Sequence, residues 1–240
     1  MDRNSNTYTF IFSILMVIVV GTALVYAATS LAPIQSKNVE QEKMQNILAT
    51  IGITTDRPGA PAKYEEYIEE ELVLNNKGEV VEGKNAFEVD LAKEMDKPAD
   101  EQVFPLYVAN VEGEKFYIIP LRGAGLWNAI WGYISLKGDF NTIAGATFDH
   151  AGETPGLGAE IVKDWFSKMY VDEKIFDADG NLVGVSAVKG YSQPNNNEDN
   201  RVDSISGATI TSNGVSEMIA ERLQHYLAYF KQQENFNVGN

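Results

Sequence analysis

The feature that most constrains the fold is an uninterrupted apolar segment near the N-terminus, residues 10–28, which contains no charged side chain. As a helix rising about 1.5 Å per residue it would be roughly 28 Å long, close to the thickness of a bilayer's hydrocarbon core. Each of its large apolar residues favours insertion by about 0.3–0.6 kcal/mol, against small penalties from Ser13, Gly21 and Thr22. We therefore predict a retained transmembrane anchor in residues 1–30, with residues 10–28 in contact with lipid.

A cleaved signal peptide is the alternative interpretation of this segment. Its n-region carries only Arg3, offset by Asp2, and its apolar run exceeds the roughly 7–15 residues of an ordinary h-region. Residues 25–27, Val-Tyr-Ala, would nevertheless serve as a cleavage site, so the alternative stays open. The orientation is open as well, because the basic residues on the two sides of the span are too few for the positive-inside rule to decide.

The remainder of the chain has the pattern of an α+β domain with a largely antiparallel sheet and packed helices. Predicted strands are residues 104–111, 115–121, 129–136, 142–149 and 182–189, predicted helices are 37–53, 62–71 and 159–170, and a hairpin turn is predicted at 76–78. Because strands follow one another in hairpins and do not alternate strictly with helices, the pattern favours α+β over a doubly wound sheet.

Composition and charge exclude several classes of function. The formal net charge of −15 argues against a nucleic-acid partner, whose phosphates would be repelled. The absence of cysteine excludes disulfides, thiolate catalysis and a cysteine-ligated iron–sulfur cluster. The two histidines, His150 and His225, are far apart in sequence, so we predict no metal site. We assign no residue a catalytic role.

The segment Asp203-Ser-Ile-Ser-Gly-Ala-Thr209, followed by Ile-Thr211-Ser212, has a composition suited to holding a phosphate. It places five hydroxyl side chains within ten residues, next to Gly207 and Ala208. Small side chains leave backbone N–H groups accessible to an anion. An amphipathic helix is predicted to follow, capped by Thr211, Ser212 or Asn213, and the preceding residues 193–200 are predicted to form an exposed loop.

Two glycine-rich segments, residues 123–127 and 150–158, have a composition suited to a flat ligand. Glycine lets the backbone approach a ring closely, and apolar side chains on either side would sandwich it. The candidate residues are Leu126, Trp127, Thr154, Gly156, Leu157 and Gly158. The alternative is a pair of turns carrying aromatic core residues.

Residues 203–209 resemble, position for position, the Asp-x-x-Ser/Thr-Gly-Ala-Thr signature on which bacterial flavin transferases attach FMN through a phosphoester to the last threonine. Together with Thr-Pro-Gly-Leu-Gly at 154–158, the chain resembles a family of FMN-binding domains. This domain is shared by the C subunit of the Na+-translocating NADH:quinone oxidoreductase and the G subunit of Rnf-type electron-transport complexes. The segments 31–35 and 41–48, and the long stretch before Gly123, favour the family of C subunits.

The resemblance implies a flavoprotein with FMN bound covalently to Thr209, in a site that also includes Asp203, Ser206, Gly207, Ala208, Thr211 and Ser212. It implies that electrons arrive from NADH through an iron–sulfur centre on another subunit, and leave toward a second covalent FMN on the B subunit of the complex and quinone. The implied partners are the other subunits of that sodium-pumping complex and a flavin transferase, and the implied location is the bacterial inner membrane, facing the periplasm. We accordingly divide the chain into an anchor (1–30), a membrane-proximal helix and extension (31–110) and a covalent-FMN domain (111–240).

A second Gly-Ala-Thr, at residues 145–147, departs from the signature. It has Ala144 where the signature requires Ser or Thr and Asn141 where it requires Asp, so Thr147 is predicted to be a strand or turn residue. Two alternatives for the whole chain stay open. One is the G subunit of an Rnf-type complex, and the other is an anchored extracytoplasmic binding module without a redox role, in which the Thr209 motif is structural.

Overall fold

The structure is a computed structural model that describes residues 3, 5–191, 200–234 and 236. The chain divides into two compact units, Met1–Lys43 and Met44–Asn240. Helix α1 (Asn6–Ala49) begins in the first unit and ends in the second. Among the described residues, α1 is the one helix long and apolar enough to cross a membrane, and its apolar side chains from Phe10 to Val25 are exposed.

Helix α1 continues through the region where the sequence predicts a break between an anchor and a second helix. The prediction of a separate helix starting at Lys37 was wrong, since Pro33 lies inside α1. A proline inside a helix removes one backbone hydrogen bond and costs about 3 kcal/mol. Once the helix has nucleated, the hydrogen bonds formed by the residues on both sides of the proline can offset this cost. The helix ends at Ala49, and Gly52 follows with φ of +79°, the left-handed conformation typical of a helix C-terminus.

The second unit is built on a five-stranded antiparallel meander in which each strand pairs with its neighbour in sequence. The strands are β1 (Ile68–Asn75), β2 (Val103–Val111), β3 (Glu114–Ala124), β4 (Ala129–Lys137) and β5 (Ile143–His150). Tight turns force this order, as at Glu112 and Gly113, whose φ angles are +54° and +91°. The predicted α+β class with an antiparallel sheet is confirmed.

Helices cover both faces of the sheet. They are α2 (Ala60–Tyr67), α3 (Leu91–Met95), α4 (Asp164–Lys168), α5 (Thr209–Gln224) and α6 (Leu227–Phe230), with 3-10 turns at Ala86–Glu88 and Gly158–Val162. A short parallel pair, β6 (Ser186–Val188) and β7 (Arg201–Asp203), leads into α5.

Alternating residues of the strands point to opposite faces of the sheet and belong to two different apolar clusters. In β3, Ile119 belongs to the cluster that includes Val215 and Met218 of α5, whereas Ile118 belongs to the one that includes Ile47 at the end of α1. This period of two is what a strand buried on both faces requires. Helix α5 crosses β3 closely, since a Cβ on Gly123 would lie 2.7 Å from Met218 Cβ. The sheet therefore fixes where α5 begins.

Three predicted elements differ from the structure. The predicted helix 159–170 is interrupted, because Lys163 is extended (ψ 140°) between the 3-10 turn and α4. The predicted strand 182–189 is reduced to β6, and Gly184, at φ of +70°, precedes it. The predicted helix 62–71 ends at Tyr67, where Ile68 joins the sheet through β1. In each case the packing of the folded chain or a residue with positive φ interrupts or shortens the element that the spacing of its apolar residues predicts.

The helix after the signature starts earlier than predicted. It begins at Thr209 with Ala208 as N-cap residue, so the prediction of a cap at Thr211, Ser212 or Asn213 was wrong. The loop predicted at 193–200 lies outside the described residues except for Asn200.

Candidate functional site

Thr209 is the first residue of α5 and is exposed to solvent. The turn before it depends on Gly207, whose φ of +79° is accessible to glycine without strain. The Ala208 N–H donates to the Ile205 carbonyl at 3.0 Å, closing that turn. The hydroxyl of Thr209 therefore stands at the N-terminal end of a 16-residue helix.

The N-terminus of α5 is not capped by a side chain of any described residue. Hydrogen bonding within the helix begins where the Ser212 N–H donates to the Ala208 carbonyl at 2.9 Å. The N–H groups of Thr209, Ile210 and Thr211 consequently have no acceptor within the helix. Such a terminus carries a partial positive charge and favours an anion.

The other residues of the signature differ in accessibility. Thr211 and Ser212 are buried, at 1% and 0% exposed, and the Ser212 hydroxyl accepts a hydrogen bond from the Ile205 N–H at 3.1 Å. Ser206 is exposed in the turn, and Asp203 is half-buried at the end of β7. The two buried hydroxyls hold the motif in place, and the two exposed ones, Ser206 and Thr209, face solvent.

Glu153 joins three segments that the sequence singles out separately. Its Oε2 accepts a hydrogen bond from the Thr211 hydroxyl at 2.6 Å, and its Oε1 accepts one from the Trp127 N–H at 2.9 Å. Glu153 itself belongs to the glycine-rich segment 150–158 and is only 4% exposed. One buried carboxylate thus connects the start of α5 to both glycine-rich segments.

The surroundings of Glu153 favour its ionised form. Burial opposes ionisation, but the hydrogen bonds from Thr211, Trp127 and Asn128 outweigh it and hold the pKa of Glu153 below its usual value of 4.5, with His150 adding to the effect. The carboxylate is therefore charged at neutral pH, and hydrogen bonds to a charged acceptor are stronger than those between neutral groups.

Trp127 lies on the surface of this site, with 69% of its area exposed. Its backbone N–H is held by Glu153 and its indole Nε1 donates to the Thr154 hydroxyl at 3.2 Å. The neighbouring Leu126 is 46% exposed. These exposures exclude the alternative in which Trp127 is an aromatic core residue.

The turn 154–158 completes the site. The Thr154 carbonyl accepts hydrogen bonds from the Leu157 and Ala159 N–H groups, both at 3.1 Å, and Gly156 adopts φ of +75°. Leu157 is 40% exposed and covers Gly207, since a Cβ on Gly207 would lie 2.9 Å from Leu157 Cδ2. Gly158 is buried, and a Cβ there would lie 2.5 Å from both Glu153 Oε2 and Thr211 Oγ1.

The structure therefore links the predicted site residues of the 126–127, 154–158 and 203–212 segments into one region. Sequence reasoning missed Glu153, because a glutamate in a glycine-rich turn has the pattern of a solvent-exposed residue. The one signal in the sequence is its position between Gly152 and Thr154, whose small side chains leave space for the backbone to pack closely around the glutamate.

Thr147, in the other Gly-Ala-Thr, has a different environment. It lies within β5 and pairs with Tyr133 of β4, and its hydroxyl is 3.5 Å from the Asn46 carbonyl oxygen. Its prediction as a strand or turn residue is confirmed.

The geometry fits a ligand that has an anionic group at one end and a flat aromatic ring at the other. An uncapped helix N-terminus with the exposed Thr209 hydroxyl suits the anion. Exposed Trp127, Leu126 and Leu157 suit the ring; Trp127 is held by hydrogen bonds and Leu157 packs against Gly207. Since glycines flank both positions, the backbone can approach such a ligand closely.

Comparison with known proteins agrees with this description. Residues 125–224 match the family model of an FMN-binding domain. The chain is 30% identical to the C subunit of the Na(+)-translocating NADH-quinone reductase of Pseudomonas aeruginosa, over 91% of each chain. It is 33% identical to the protein of the same name from Vibrio parahaemolyticus, over 82% of this chain and 85% of the relative.

Two solved structures share the fold. The crystal structure of the protein of that name from Parabacteroides distasonis is 43% identical, with a TM-score of 0.77, and covers 85% of this chain and 98% of the solved one. That of Shewanella oneidensis NqrC is 23% identical, with a TM-score of 0.69, and covers 80% and 97% respectively.

Proposed function

Because the chain belongs to the family of C subunits of the Na+-translocating NADH-quinone reductase, an oxidoreductase complex, we propose that it carries FMN as a phosphoester on Thr209. In this role it relays electrons derived from NADH toward quinone within a sodium-pumping membrane complex. The observation that carries the proposal is the position of Thr209, exposed at the uncapped N-terminus of α5, whose first turn is connected through Glu153 to the loop of the surface residue Trp127.

Accessibility distinguishes Thr209 from the neighbouring hydroxyls. A transferase must reach the hydroxyl that it modifies, and Thr211 and Ser212 are buried and hydrogen-bonded. Ser206 is accessible but lies in the turn before the helix. A phosphate on Thr209 lies within the first turn of α5, where the helix dipole favours negative charge by about 0.3–1 kcal/mol.

The remaining site residues would hold the isoalloxazine ring. When bound, FMN supplies one- and two-electron redox chemistry, and the protein supplies position and a polarity that sets the potential. Trp127 and Leu126 would flank the ring from one segment and Leu157 from the other. Gly156, Gly158 and Thr154 shape the turn that carries Leu157, and Asp203, Gly207 and Ala208 shape the one that presents Thr209.

The exposed apolar face of α1 supports membrane anchoring. Its side chains between Phe10 and Val25 would be in contact with lipid, since the helix exceeds the roughly 30 Å of a hydrocarbon core. We propose a single span in the inner membrane, with the second unit in the periplasm, where the flavin transferase works. The other subunits of the complex are the proposed partners for electron transfer.

Co-expression with a bacterial flavin transferase tests the proposal. The intact mass should rise by that of one FMN less one water, and peptide mapping should place the addition on Thr209. An unmodified chain, or a flavin that is released on denaturation, would contradict covalent attachment and favour a binding module without a redox role. The alternative of a G subunit of an Rnf-type complex is not retained, because the relatives place the chain in the family of C subunits.

A further inference from the structure

The Glu153 carboxylate occupies a place between the two parts of the proposed flavin site. Thr211 is in the same helical turn as Thr209, and Trp127 is the proposed platform for the ring. Glu153 bonds to both, at 2.6 and 2.9 Å, through different oxygens. No room is left around it, because a Cβ on Gly125 or Gly158 would lie 2.5 Å from one of these oxygens.

We propose that Glu153 is the positioning residue of the flavin site. Its two hydrogen bonds, to the Thr211 hydroxyl and to the Trp127 N–H, connect the first turn of α5 to the loop that carries Trp127, and we call this pair of bonds the clasp. The clasp fixes the distance between the point of attachment on Thr209 and the indole of Trp127 against which the ring would lie. The inference rests on the proposed function, since it concerns the FMN on Thr209. Without the clasp the ester would still tether the flavin, but the ring would be free to leave its platform.

The role of Glu153 is geometric, and the hydrogen-bond pattern makes this testable. Glutamine has the same shape, and its Oε1 can accept from the Trp127 N–H as the carboxylate does. Its Nε2 can donate to the Thr211 hydroxyl oxygen, which accepts as readily as it donates. E153Q therefore keeps the clasp without its charge, and E153A removes it.

A second buried glutamate provides a matched control. Glu94 is 8% exposed, accepts from the Val103 N–H at 3.1 Å and pairs with Lys97 at 2.7 Å. It joins α3 to β2 as Glu153 joins its segments, but its partners Val103 and Lys97 are not among the proposed site residues. E94A should weaken the fold without affecting the flavin.

The experiment compares the FMN-loaded full-length wild type with E153A, E153Q and E94A, each co-expressed with the transferase. In E153A we expect the mass addition on Thr209 to persist while the fluorescence anisotropy of the flavin falls toward that of a tethered, mobile ring. In E153Q and E94A the anisotropy should stay at the wild-type value. T211V, which removes the hydroxyl and keeps the shape, should reproduce part of the E153A effect.

Hydrogen exchange of the flavin-free protein gives a second readout. Peptides covering Trp127 and the first turn of α5 should exchange about tenfold faster or more in E153A, and at the wild-type rate in E153Q. E153A with wild-type anisotropy and exchange would overturn the proposal, as would E94A changing the flavin equally. A wild-type chain without flavin on Thr209 would instead overturn the proposed function, while exchange would still report on the clasp.

Discussion

Thr211 donates a 2.6 Å hydrogen bond to Glu153, a residue 58 positions earlier in the chain. Both side chains are buried, although Glu153 lies between the exposed residues Gly152 and Thr154 and Thr211 follows the exposed Ile210. This contact holds the first turn of α5 against the glycine-rich turn 150–158. The glycine-rich segment and the signature, far apart in the sequence, are therefore adjacent in the fold.

Replacing Thr209 by alanine should abolish covalent flavin, because alanine has no oxygen to form the ester. T147A is the matched control and should leave the flavin attached, since Thr147 lies within β5 in a Gly-Ala-Thr that departs from the signature. In-gel flavin fluorescence and intact mass measure the result. A T209A chain that still carries flavin covalently would show that another hydroxyl is the attachment site.

Truncating the ring platform should change the flavin but not its attachment. W127A and L157A remove side chains that are 69% and 40% exposed, so each should lower the free energy of unfolding by about 1 kcal/mol, less than the roughly 3–5 kcal/mol of a core truncation. Both should retain FMN on Thr209 and show a shifted visible absorption or midpoint potential. An unchanged spectrum and potential in both variants would remove Trp127 and Leu157 from the site.

Gly158 should tolerate no side chain. A Cβ there would lie 2.5 Å from both Glu153 Oε2 and Thr211 Oγ1, so G158A should force the clasp apart and cost about 1–3 kcal/mol. G152A is the control, since a Cβ on Gly152 would meet no atom within 4 Å. Urea unfolding of the two variants provides the comparison, and equal stabilities would argue against the tight packing around Glu153.

Acidification should destabilise the protein through His225, which stacks on Phe104 with ring centroids 4.0 Å apart. Burial lowers the pKa of His225 from 6.5 to about 4, with the charge of Arg222 adding to the effect and Glu221 opposing it. Since the folded pKa lies below the unfolded one, the unfolded chain binds the extra proton between these values, and stability falls as the pH falls through that window.

The expected loss of unfolding free energy through His225 is about 2 kcal/mol between pH 7 and pH 5. H225F keeps an aromatic ring against Phe104 and cannot titrate. Its free energy of unfolding should therefore fall by about 2 kcal/mol less than that of the wild type between pH 7 and pH 5. Parallel pH profiles of the wild type and H225F would show that His225 titrates normally.

The full chain should stay in the membrane fraction after carbonate washing and keep its first residues. A chain beginning at Glu40 lacks the exposed apolar part of α1 and retains Ile47 and Leu48, which are buried in the second unit. This shorter chain should be soluble and folded. A mature protein beginning near Ala28 would establish the signal-peptide alternative instead, and a C-terminal reporter active only in the periplasm would settle the orientation.

The local sequence was sufficient to predict the elements whose backbone conformation depends on nearby residues, such as the turns between strands. The hairpins follow from turn residues between alternating strands, and β2 to β5 lie within two or three residues of their predicted bounds. It was insufficient where packing decides. The helix predicted at 62–71 became strand after Tyr67 because β1 pairs with β2, a contact between residues far apart in the chain.

By itself, the sequence determined the apolar N-terminal helix, the antiparallel class of the sheet and the signature that ends at Thr209, whose hydroxyl is the proposed attachment point. Only the tertiary structure decided that Ser206 and Thr209 are exposed, whereas the hydroxyls of Thr211 and Ser212 are buried in hydrogen bonds within the protein. It also decided that Glu153, in a turn typical of the surface, is buried between Thr211 and Trp127. The reason is that burial and hydrogen bonding of a polar group depend on partners brought together by the fold, and no periodicity within one segment records them.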